Sequence, residues 1–144
     1  MKKEIIDFIN SQRVCVLALE MMDGLPHAAT VHFAFDENSL TFFFETYRDY
    51  RKCDALFGRE VSRASVVVGV DEDVMKTLQL DGEARLLKDG EKEIFDKVYF
   101  RKFPEKKEKS KDPKFVLFSF IPKWWRYTDF KGPNGKTIIT SGDK

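Results

Sequence analysis

The chain has 144 residues, with 25 Lys and Arg against 24 Asp and Glu, for a formal net charge of +1. That near balance removes the electrostatic reason to expect nucleic acid or an acidic membrane surface as the main partner. With 42% hydrophobic and 14% aromatic residues, fourteen of them Phe, the composition is that of a folded protein with a real core, read as one domain over residues 1–144.

Cys15 and Cys53 form no CxxC pair and are too few for a disulfide framework, so both read as buried thiols. The sequence supplies no recognisable triad, acid–base carboxylate pair or metal-ligand cluster. No signal peptide or spanning segment is visible near the short amphipathic N-terminus, and a reducing, cytoplasmic location is the default expectation.

From Lys2 to Asn10, Ile5, Ile6 and Ile9 share one face, which predicts a short amphipathic helix. Val14 to Leu19 is an apolar run of strand length, and Met22-Asp23-Gly24 supplies the turn after it. The next strand is expected from Pro26 to Phe35, and Asp36 to Ser39 turns it back into a third. That third strand, Leu40-Thr41-Phe42-Phe43-Phe44, leads through Thr46 to a helix over residues 50–58, with Asp49 as its N-cap.

Ala64 to Val70 is a β-branched strand whose Gly69 signals a bulge or a close approach. Lys76 to Leu87 alternates for part of its length, and after Asp89-Gly90 the residues Ile94, Phe95, Val98, Tyr99 and Lys102 fall at helical spacing. Glu105 to Lys114 reads as a solvated loop or a frayed helix end. Its interleaved Glu105, Glu108 and Asp112 argue against a nucleic-acid patch. Phe115 to Ile121 is a further strand, and Pro122 is expected to separate it from a last one around Trp124 to Phe130. The turn Gly132-Pro133-Asn134-Gly135 then leads to an edge strand or docked tail at Thr137 to Thr140. Many short strands with few helices predict a mainly β protein, a closed or partly open barrel.

The candidate site lies where the aromatic third strand meets its helix. The first turn of a helix favours acidic side chains, yet Arg48, Arg51 and Lys52 cluster there. With the Thr46 hydroxyl they can form a phosphate cradle; a solvated basic helix end is the alternative reading of the same residues.

The run Phe44-Glu45-Thr46-Tyr47-Arg48-Asp49-Tyr50-Arg51-Lys52 resembles the phosphate-binding segment of the pyridoxamine 5'-phosphate oxidase-like family, the FMN-binding split barrels. That segment has an aromatic strand ending in Thr, a Ser or similar residue four positions later, then Arg-Lys or Lys. Tyr50 stands at the Ser place and Arg51-Lys52 match outright. A small apolar first strand, the Asp-Gly turn, a second strand opening with Pro and the later Leu80-Asp81-Gly82-Glu83-Ala84 strand extend the likeness over most of the chain.

The resemblance implies a Greek-key antiparallel split barrel with short flanking helices. It also implies a homodimer that holds FMN between subunits, with hydride or electron transfer as the chemistry. A non-catalytic binder of flavin, haem or a phosphorylated metabolite is the alternative, and a barrel that has lost its ligand a weaker one. Thr46, Arg51 and Lys52 would hold the phosphate, and Tyr50 would lend its hydroxyl or pack on the ribityl chain.

In the family the second strand often adds an Arg and a Lys; near Ala28 and Phe33 this chain has neither, and His32 is a candidate replacement donor or else a packing residue. Where a Gln is common on the fifth strand stands Thr77, and Gln79, two residues on, shares its face. Trp124, Trp125 and Arg126 are candidates for the walls and charged edge of a flavin site, or else a core or interface aromatic pair. Adjacent strand residues face opposite ways, so at most one Trp can meet a ring. The Arg…His…Arg segment of true pyridoxamine phosphate oxidases is not found after Tyr127, so the likeness does not extend to that substrate.

Overall fold

The computed structural model describes residues 1–142. Helix α1 (Lys3–Ser11) buries Ile5, Phe8 and Ile9. Strand β1 (Val14–Glu20) alternates as a half-buried strand should, with Cys15, Leu17 and Leu19 inward, and pairs with β2 (Pro26–His32). Then follow β3 (Ala34–Asp36), β4 (Thr41–Tyr47), α2 (Lys52–Gly58), β5 (Ser62–Val68), β6 (Lys76–Leu86), α3 (Lys92–Lys102), β7 (Phe115–Gly132) and β8 (Gly135–Thr140). All pairings are antiparallel, in the order β2-β1-β5-β6-β7-β4-β3, with β8 added on β7. Among the described residues no helix is long and apolar enough to cross a membrane.

The strand expected over Pro26 to Phe35 is two strands, divided at Phe33. Phe33, Ala34 and Phe35 are buried in succession, which a strand with one solvated face cannot accommodate without a change of direction. The consequence is topological. β2 and β3 are consecutive in the chain yet lie at opposite ends of the sheet, so the break at Phe33 curls the sheet into a barrel. A seam remains where β2 and β4 approach without pairing. Phe33 is fully buried against Phe42, with ring centroids 5.5 Å apart. The Lys102 ammonium lies 3.9 Å from its centroid and donates a hydrogen bond to the Gln12 carbonyl. Burial pulls the pKa of Lys102 down to about 8.

Strand β4 is buried on both faces, which explains its uninterrupted apolar run. Phe42 and Phe44 meet Phe120 and Phe118 inside the barrel, while Phe43 packs on Phe95 of α3 at 5.7 Å. Together with Ala34, Tyr99 and Phe103 it forms a second, smaller apolar cluster under α3.

Three local expectations are corrected. Pro122 does not end a strand: β7 runs through it, because the register shifts opposite Asp81 and Gly82. Asp49 does not cap α2, whose start has no side-chain cap hydrogen bond. The 105–114 segment is mostly exposed, as expected, but it is not a plain loop. It folds into 3-10 turns at Pro104–Lys106 and Lys109–Lys111, tied down by Arg13 to Glu105 at 2.8 Å and by the Ser110 hydroxyl donating to Glu45. The close approach signalled by Gly69 is present: a Cβ there would lie 2.3 Å from the Lys76 carbonyl oxygen.

At Gly82 β7 passes close to β6, since an added Cβ would stand 2.1 Å from the Ile121 carbonyl oxygen and 2.8 Å from Pro122 Cα. Both obstacles are backbone. Gly82→Ala is expected to lower unfolding stability by about 1–3 kcal/mol, read from the denaturation midpoint.

Candidate functional site

The seam opens into a cleft of about 380 Å³ lined by β2 (Thr30, Val31, His32), β4 (Glu45, Thr46, Tyr47), Tyr50 and Lys52, the 3-10 segment (Glu105, Lys106, Lys109) and Phe115. Four of the candidates from sequence meet here: His32, Thr46, Tyr50 and Lys52. Thr46 is only 4% exposed, and among the described residues its Oγ1 has no hydrogen-bond partner. A buried hydroxyl left unmatched costs roughly 1–3 kcal/mol, so its retention at the wall of a cleft suits a group completed by a ligand.

Lys52 is also buried, at 7% exposure, and among the described residues it forms no salt bridge. Its ammonium sits 4.8 Å from the centre of the Tyr50 ring, and burial holds its pKa below the usual lysine value. A cation without a carboxylate in a half-dry cleft is poised for an anion. Tyr50, Tyr47 and Phe115 form an aromatic flank, Tyr47 stacking on Phe115 at 4.4 Å.

His32 packs edge-on against Phe103 at 5.4 Å. Burial first, then the neighbouring cations Lys106 and Arg13, lower its pKa, with Glu105 opposing. Around neutrality it is therefore an uncharged imidazole with one N–H to donate, and not a third cation. Glu45 is raised in pKa chiefly by burial, and the Ser110 hydroxyl bond opposes that rise.

The other candidates lie elsewhere in the chain. Arg51 is exposed and does not line the cleft. Arg48 turns away, its guanidinium 4.7 Å from the Phe57 ring centre. Thr77 Oγ1 donates to the Val68 carbonyl at 3.3 Å.

Gln79, Trp124 and Arg126 are exposed on the outer face of the sheet, whereas Trp125 is half-buried against the main core. Cross-strand neighbours Thr30, Val16, Val67, Gln79 and Arg126 form one continuous row on that face. A parallel row runs Ala28, Ala18, Ser65, Asp81, Trp124. The first row begins at Thr30 in the cleft, so the two groups of candidates share one surface without touching.

Sequence reasoning missed Thr30, Glu45, Tyr47, Phe115, Lys106 and Lys109 as lining residues. Thr30 was legible from its alternation with Val31 and His32. The two lysines were not, because the contacts that dock their segment span long sequence separations.

A family model described as Pyridoxamine 5'-phosphate oxidase matches residues 1–129. No curated protein matches the chain. Among solved structures, a conserved hypothetical protein from Mycobacterium tuberculosis is 23% identical with a TM-score of 0.68, covering 90% of this chain and 85% of its own. A pyridoxamine 5'-phosphate oxidase-related, FMN binding protein from Nostoc punctiforme is 13% identical, TM-score 0.68, with 96% and 89% covered. A heme binding protein from Mycobacterium smegmatis is 16% identical, TM-score 0.72, with 92% of this chain covered but only 55% of that one. The fold is thus the split barrel of FMN-binding proteins, on which a haem binder is also built.

The orphaned hydroxyl makes a stability prediction that needs no ligand. Thr46→Val keeps the shape and removes the unmatched oxygen, so the ligand-free variant is expected to equal the parent or exceed it by up to about 1 kcal/mol in chemical denaturation. A loss of more than that would show that the hydroxyl has a structural partner.

Proposed function

The chain belongs to the pyridoxamine 5'-phosphate oxidase family, and on that premise we propose that it binds FMN and acts as a flavin-dependent oxidoreductase, with the cofactor phosphate in the Thr46–Lys52 cleft. The observation that carries this reading is the meeting, in one cleft, of the Thr46 hydroxyl, which has no hydrogen-bond partner among the described residues, and the buried Lys52 side chain, whose ammonium has no carboxylate partner among them. Thr46 donates its O–H to a phosphate oxygen, and Lys52 supplies charge with little water to screen it. Tyr50 and His32 offer a hydroxyl and one imidazole N–H to the neutral chain that follows the phosphate. When bound, the flavin supplies hydride or electron transfer, while the protein orients it and excludes water.

The outer-face rows, in which Val16, Val67, Ala18, Ala28 and Trp124 are interspersed with Gln79, Asp81 and Arg126, support self-association as part of this reading. Gln79, Trp124 and Arg126 stand on that surface, available to a second copy. Trp125 is partly buried against the core, so in this reading Trp124 is the tryptophan offered to a ligand there.

One observation favours a second reading, a non-catalytic binder of flavin, haem or a phosphorylated metabolite. The cleft carboxylates Glu45 and Glu105 are already engaged by Ser110 and Arg13, which leaves no unengaged carboxylate among the described lining residues.

The purified protein is expected to be yellow, or to become so on FMN titration and gain thermal stability by mass action. Reduced nicotinamide bleaching that colour supports the enzyme; a stable colour supports the binder. Lys52→Gln is expected to weaken FMN about tenfold or more, as loss of a charge-assisted hydrogen bond should, whereas Arg51→Ala changes it less than about threefold. A colourless protein that gains no thermal stability from added FMN would overturn the reading.

A further inference from the structure

We infer that Lys106 and Lys109 form the second cationic wall of the phosphate site, taking over the charge that the second strand lacks, and that Glu45 and Ser110 set the position of this wall. The inference rests on the phosphate reading of the cleft and deepens it: the ligand would be held from two sides, and the protein would select dianionic over neutral forms of the same molecule.

Four observations carry it. Lys106 and Lys109 line the same cleft as Thr46 and Lys52, although fifty or so residues separate the two walls in sequence. Among the described residues neither lysine forms a salt bridge, in a protein where other lysines do, including Lys111 beside them. The Lys106 amino group donates to the Tyr99 hydroxyl at 3.4 Å and lies 4.7 Å from the centre of the Phe103 ring, so its stem is packed and its head is placed rather than waving in water. Lastly, the segment is pinned at both ends of the cleft, by Glu105 to Arg13 at the β1 side and by the Ser110 hydroxyl to the Glu45 carboxylate at the β4 side.

On the β2 wall between them stand Thr30, Val31 and His32, which bring one uncharged imidazole and no cation. The positive potential therefore comes from Lys52 on one side and the 3-10 segment on the other. Burial works against the charged form of Lys106 while Glu45 and Glu105 favour it, and an anion in the cleft would favour it further, so ligand and lysine support each other.

The experiment compares FMN with riboflavin, which differ only in the phosphate, by flavin-fluorescence titration of the full chain. The variants are Lys106→Gln with Lys109→Gln, which keep the packed stems, and Ser110→Ala. The parent should prefer FMN by about 100-fold or more, and the double variant should lose about tenfold or more of that preference with riboflavin affinity unchanged. Ser110→Ala should lose a smaller part, and Lys106→Arg with Lys109→Arg should retain most of it. The preference should also fall with salt more steeply in the parent than in the double variant.

A double variant that keeps the parental FMN-to-riboflavin ratio while Lys52→Gln loses it overturns this inference and leaves the Thr46–Lys52 site standing. A parent that does not distinguish the two flavins overturns the phosphate reading and this inference with it. A double variant that loses riboflavin and FMN affinity equally overturns it as well, since the lysines would then shape the cleft rather than read the phosphate.

Discussion

The structure depends on the break at Phe33. A sheet of this many strands has two edges, and here the chain itself joins them: β2 ends one edge and β3 begins the other, with a single residue between. Phe33 holds that junction because its ring is fully enclosed, against Phe42 on one side and the Lys102 ammonium on the other, while its N–H donates to the Arg13 carbonyl at 3.3 Å. Removing the edges by closure is how β proteins avoid exposed strand backbones. This closure is covalent but not hydrogen-bonded, and the unpaired seam between β2 and β4 is where the cleft lies.

A seam of that kind brings together residues that ordinary strand pairing would keep apart. Thr46 and Glu45 come from the end of β4, His32 and Thr30 from the end of β2, and Lys106 and Lys109 from a segment between α3 and β7. The aromatic interior makes the arrangement affordable: Phe42, Phe44, Phe118 and Phe120 fill the barrel, and a second cluster under α3 secures the segment beside the cleft. Against that background an unmatched hydroxyl and an unpaired ammonium are local costs that a well-packed core can absorb. Among the described residues Asp96 Oδ1 and Ser119 Oγ are likewise unmatched away from the cleft, but only at Thr46 does such an atom share a cleft with a buried lysine.

How much of this was readable from the chain varies with the range of the physics involved. Alternation and apolar runs located nearly every strand and both longer helices, because burial of one face imposes its period on the residues that make it. The cradle residues Thr46, Tyr50 and Lys52 were legible since they lie within seven positions of one another on one strand-to-helix turn. Arg51, between two of them, faces solvent: the turn that buries Lys52 rotates its neighbour outward, and composition alone could not rank the two cations. Pro122 shows the same limit. A proline is a strand-breaker by local rules, and only the bulge opposite Gly82 lets it sit inside an 18-residue strand.

The sequence by itself determined the class of fold, the aromatic core and the family, since these follow from local periodicity and from a motif contiguous along the chain. Tertiary structure alone decided that a strand expected to be continuous divides at Phe33, and that the solvated lysine-rich stretch lies along the cleft in 3-10 turns. It decided too that Trp124 faces out while Trp125 faces in. Each of these turns on a contact between residues far apart in the chain, such as Arg13 with Glu105 or Glu45 with Ser110. Such contacts leave no period in the sequence, because their energy is gained only after the barrel has closed.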